Sequence, residues 1–75
     1  MEITKDTRVS EILEEYGDIA DVMVIFGIKR VAGYSLRKFI TKAISVETAA
    51  RVHGKPLDEF LKILHKAADQ KKAEQ

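Results

Sequence analysis

Two histidines, twelve carboxylates, thirteen cationic side chains and no cysteine are the chemical material of this 75-residue chain. Without cysteine, disulfides, thiolate zinc sites and iron–sulfur clusters are excluded. Gly54-Lys55-Pro56 lacks the earlier glycine and the Ser/Thr of a phosphate loop. No Ser–His–Asp order stands out, and a chain this short has little room for a buried cleft. Glu14, Glu15 and Asp18 read as members of an exposed acidic face. No catalytic residue, cofactor or metal site is therefore expected, and the chain does not read as an enzyme. His53 is the exception to a bland pattern, because it takes an inward position in an otherwise apolar series, beside Gly54. One reading is a partly buried histidine bonded to a carbonyl, its charged form favoured by a helix C-terminus. The other is a small-ligand, metal or pH-responsive group, with His65 nearby and the 27–35 loop as a lid.

The second chemical feature is a segregation of charge that the net +1 conceals. Residues 1–27 hold two cations against seven acids, whereas residues 28–55 hold seven cations against Glu47 alone. Lys29, Arg30, Arg37, Lys38, Lys42 and Arg51 are the candidate partner-binding set. Either these are a solvated face neutralised by the acidic segment, or they are a surface that binds a protein partner or a second copy of this dipolar chain.

The elements that must position these groups follow from one template. Helices bury positions i, i+3, i+4 and i+7. The quartets are Val9/Ile12/Leu13/Tyr16, Ile19/Val22/Met23/Phe26, Leu36/Phe39/Ile40/Ala43, Val46/Ala49/Ala50/His53 and Leu57/Phe60/Leu61/Leu64, the last extended by Ala67 and Ala68. Thr7, Asp18, Ser35 and Ser45 precede quartets as N-caps. Gly27 and Gly54 follow two of them as C-caps, and Pro56 opens the fifth helix. A shift of 27 residues carries quartets one and two onto three and four, and Gly27 onto Gly54. The expected fold is all-α, a compact array of about five short helices in a single domain spanning residues 1–75. Its core covers about residues 3–68, and the polar residues from Asp69 onward are expected to fray. Alternation around Ile3 allows a short extended segment before Thr7, whose pairing partner would come from a dimer. In the third helix the apolar quartet is expected to face inward and Arg37, Lys38, Thr41 and Lys42 outward.

Residues 45–64 also have the order of a DNA-binding helix-turn-helix: a small residue, a glycine turn and a second helix. The second helix opens on Pro56, Leu57, Asp58 and Glu59, and two carboxylates there oppose the phosphate neutralisation on which affinity rests. Nucleic-acid binding is thus the weakest of the three readings. No apolar run approaches the roughly 20 residues of a membrane span. MEITKD lacks the basic-then-apolar order of a signal peptide, so a cytoplasmic address is expected.

Ile3-Thr4-Lys5-Asp6-Thr7, Val9-Ser10-Glu11-Ile12-Leu13-Glu14-Glu15-Tyr16 and Glu47-Thr48-Ala49-Ala50-Arg51-Val52-His53-Gly54 together resemble a family of small bacterial and archaeal domains of unknown function. That family includes the hybrid-cluster-protein-associated redox disulfide domain, which carries two cysteines in the loop after the second helix. Here Lys29-Arg30-Val31-Ala32-Gly33-Tyr34 stands in that loop, so a disulfide redox role does not carry over. Lys29-Arg30 and Leu36-Arg37-Lys38 look like a cysteine-free branch, whose members occur alone or fused to sensory or metal-binding domains. The resemblance implies an interaction module without an established activity.

Overall fold

The structure, a computed structural model, describes residues 1–29 and 33–74. Five α-helices run over Val9–Tyr16 (α1), Ala20–Ile25 (α2), Tyr34–Ile40 (α3), Val46–Val52 (α4) and Leu57–Glu74 (α5), with a 3-10 turn at Thr41–Ala43. Four of them are shorter than the length at which an isolated helix persists in water, so mutual packing must hold them. The Cα radius of gyration, 10.9 Å, fits a globule of this length.

The core is centred on Ile12, Val46 and Leu64. The long α5 supplies Phe60, Ile63, Leu64, Ala67 and Ala68, a stripe at i, i+3, i+4, i+7 and i+8 that meets α1, α2 and α4. Leu57 and Leu61, expected inside, are only partly buried, and Ile63 takes the deep position. α5 also continues through Glu74, because the buried Ala67 and Ala68 anchor its later turns. The fraying expected from Asp69 onward is therefore corrected to helix. Ile3 and Ile28, outside every quartet, complete the core.

Helix ends explain the topology. The first backbone N–H groups of a helix have no partner within it. Val9 N donates to Ile44 O at 2.9 Å, and Val46 N donates to Thr7 O at 2.9 Å, so the starts of α1 and α4 satisfy each other. Glu47 N adds a bond to Lys5 O, and Arg8 and Ser45 form an isolated antiparallel bridge. The N-terminal segment thus finds its pairing partner inside the chain and needs no dimer. Thr7 is not the N-cap of α1. Arg8 holds that position, its N–H donating to the Glu11 carboxylate at 3.3 Å, while Thr7 Oγ1 accepts from Thr4 N at 2.9 Å. Ser45 caps α4 as expected, accepting from Thr48 N at 3.3 Å. Ser35 lies inside α3, whose N-cap is Gly33.

Gly27 and Gly54 end α2 and α4 in the same way. Gly27 N donates to Val24 O and Ile28 N to Met23 O; Gly54 N donates to Arg51 O and Lys55 N to Ala50 O. Both are Schellman closures, which require the left-handed conformation seen at φ 89° and 67°. At α2 the closure turns Ile28 back into the core.

Candidate functional site

The third helix lies the other way round from its expected orientation. Leu36, Phe39 and Ile40 are 54%, 68% and 41% exposed, and Ala43 is exposed with them, whereas Arg37 is buried at 8%. Tyr34, Arg37, Lys38 and Thr41 have the same i, i+3, i+4, i+7 spacing as the apolar quartet, offset by two residues. At 3.6 residues per turn that offset moves a stripe about 200° round the helix. The helix therefore carries two opposed candidate faces, and polar contacts choose between them. Arg37 Nη2 donates to Asp18 Oδ1 at 2.6 Å, and Tyr34 Oη donates to Leu13 O at 2.9 Å, at the end of α1. Asp18 Oδ1 also accepts from Ala20 N at 3.1 Å, so one carboxylate serves the start of α2 and the guanidinium of α3. The long stem of Arg37 provides apolar surface while its head is neutralised.

This arrangement leaves a partly open cavity of about 230 Å³ between the helices. All five helices contribute, through Leu13, Met23, Ile40, Val52 and Phe60 among others. The polar lining is Lys29, Arg37, Thr41 and His53, with no carboxylate among the lining residues described.

Of the candidate residues, Lys29, Arg37 and His53 come together on this cavity. Lys38 and Lys42 line a separate, shallow depression along α3, with Tyr34, Ser35 and Phe39. Lys42 Nζ sits 5.6 Å above the Phe39 ring. Arg51 is exposed on α4 and joins neither group. Arg30 lies outside the described residues, as does the middle of the 27–35 loop. The candidate basic residues are thus divided: Arg37 is committed to an internal pair, while Lys38 and Lys42 border the exposed Phe39.

His53 ends α4 as its C-cap and stacks on Phe60, with ring centroids 5.8 Å apart and planes inclined by 19°. The expected bond from its ring to a carbonyl is replaced by this stack, and the ring nitrogens have no hydrogen-bond partner among the described residues. Burial pushes the imidazole below its ordinary 6.5, because desolvation favours the neutral form. His65 is exposed on α5, and no group of three His, Cys, Asp or Glu suited to a metal occurs among the described residues. No described helix is long and apolar enough to cross a membrane.

Reading the sequence by its apolar quartets missed the outward face of α3 and the cavity behind it. The signal that was available is the second stripe, Tyr34/Arg37/Lys38/Thr41, together with Asp18 as a carboxylate partner within an acidic segment.

The class these features define is a small all-α domain, built on one long C-terminal helix and carrying a partly open apolar cavity. The profile of the family described as a domain of unknown function (DUF1858) matches residues 3–61. The chain belongs to that family, in agreement with the resemblance carried by its opening and closing motifs. No curated protein and no solved structure matches it.

Proposed function

We propose that this domain is a non-enzymatic interaction module that docks an apolar, acid-bearing helical segment of a protein partner on the outer face of α3. The observation that carries this reading is the exposure of Leu36, Phe39 and Ile40 on one helix of a small folded domain. Grouped exposed apolar side chains mark interaction sites more often than scattered ones do. Lys38 and Lys42 beside Phe39 favour carboxylates at the rim of the partner. A second copy fits less well. A two-fold interface sets the same patch against itself, so these lysines would meet other lysines.

The test uses two designed amphipathic peptides with the same leucine and phenylalanine stripe, one with glutamates and one with lysines on its polar face. In amide NMR titrations of the labelled domain, the acidic peptide is expected to shift Leu36, Phe39 and Lys42, and the basic peptide to leave them unmoved. Phe39→Ser and Lys42→Glu should each weaken the acidic peptide while leaving the helical circular dichroism intact. Indifference to both peptides removes the proposal. A dimer in light scattering that Phe39→Ser dissociates reassigns the face to a second copy.

A further inference from the structure

The cavity on the inner side of α3 meets the docking face only at Ile40, which lines it; Leu36 and Phe39 do not. Protein interiors are packed at crystal-like density, and voids larger than a water molecule are few. At about 230 Å³, this partly open one is far larger than the space a single water needs, about 10–15 Å³. Its walls are almost wholly aliphatic and aromatic, which gives water few partners. Dry apolar cavities of about 150 Å³ are known to take up small apolar molecules.

The wall's polar groups include one unpaired cation and no anion among the lining residues described. Lys29 is exposed at the edge and has no ion-pair partner among the described residues. The His53 ring nitrogens are without a hydrogen-bond partner among those residues. Arg37 adds positive charge, although one of its donors is engaged by Asp18. No described acid lines the cavity to neutralise Lys29.

We propose that this cavity is a binding site for a small apolar monocarboxylate, a medium-chain fatty acid, with its chain against Leu13, Met23 and Phe60 and its carboxylate between Lys29 and His53. The chain fills a volume that the protein leaves open, and the head meets the groups that lack partners. A single exposed ammonium beside an imidazole suits a singly charged head. A phosphate would bring a second charge with no further cation to meet it.

The probe is octanoate, with octanol as the uncharged isostere, titrated into the full chain labelled for amide NMR. Saturable shifts are expected at Met23, Ile28, Val52 and His53. Octanoate should bind about tenfold more tightly than octanol, because charge-assisted hydrogen bonds are about twice as strong as neutral ones. Ala49→Leu, which places a larger side chain on the cavity wall, should abolish binding of both. Lys29→Gln should bring octanoate to the affinity of octanol and leave octanol unchanged. The proposal is overturned by the absence of saturable shifts, by equal affinity for the two probes, or by undiminished binding to Ala49→Leu. If Ala49→Leu fails to fold, the Lys29→Gln comparison alone decides, since that substitution changes an exposed side chain.

Discussion

Replacing Asp18 with asparagine asks whether one ion pair holds α3 in place. The substitution keeps an oxygen for the Ala20 N–H and removes the charge that Arg37 meets at 2.6 Å. Removing one partner of a buried pair costs about 3–5 kcal/mol. The Arg37 side chain is 10% exposed and that of Asp18 is 30% exposed, so solvent offsets part of the loss. About 2 kcal/mol is the expected cost, between the buried-pair and surface-pair values. That is a large share of the roughly 4–11 kcal/mol available to a domain of this length. The thermal midpoint should fall by about 8–16 °C, at about 4–8 °C per kcal/mol. Arg37→Met keeps an apolar stem and leaves Asp18 in partial contact with water, so it should cost only about 1 kcal/mol. The double variant should be no worse than Arg37→Met, a coupling of about 2 kcal/mol. Urea unfolding followed by circular dichroism, at constant m-value, measures all three. If Asp18→Asn lies within about 0.5 kcal/mol of the parent chain, the pair does not hold the helix and the reasoning fails.

Three further outcomes are expected. Ile12→Ala removes a fully buried side chain where α1 meets the core, and should lower the unfolding free energy by about 3 kcal/mol in the same urea assay. Gly54→Ala meets no atom within 4 Å, so its cost is that of placing a Cβ at φ 67°, about 1 kcal/mol, read as a shift in urea midpoint. The folded pKa of His53 lies below the unfolded value of 6.5, so its stabilising contribution is complete above that pH. The contribution should decline as pH falls from 6.5 towards the folded value, because only the unfolded chain takes up the proton there. Urea midpoints at several pH values should therefore be flatter for His53→Gln across that window, and identical profiles would sink the assignment.

Most of the helices were legible because their signals are local. Four of the five quartets turn mainly inward, Phe26 apart, and Ser45, Gly27 and Gly54 satisfy backbone groups within a few residues of themselves. The exceptions at helix starts have long-range causes. Thr7 gives way to Arg8 as N-cap of α1 because its hydroxyl closes the preceding turn and its carbonyl is taken by Val46. Of the candidate site, the cationic residues and His53 were visible by type, but their grouping was not. Lys29, Arg37 and His53 share one cavity, Lys38 and Lys42 line a separate depression with Phe39, and Arg51 joins neither group.

By itself, the sequence determined the all-α class, the absence of any cysteine chemistry, the two glycine closures and the separation of charge along the chain. Each depends on residue identity or on spacing within one or two helical turns. Only the tertiary structure decided which face of α3 points inward. That helix carries two opposed stripes at the same spacing, and periodicity weighs them alike or favours the more apolar one. The choice rests on Asp18, nineteen residues from Arg37, and on Leu13 O, twenty-one residues from Tyr34. Turning α3 over exposes Leu36 and Phe39 and leaves the cavity beside Lys29 and His53. The two surfaces proposed to bind ligands are thus consequences of polar contacts across the fold, which no local pattern encodes.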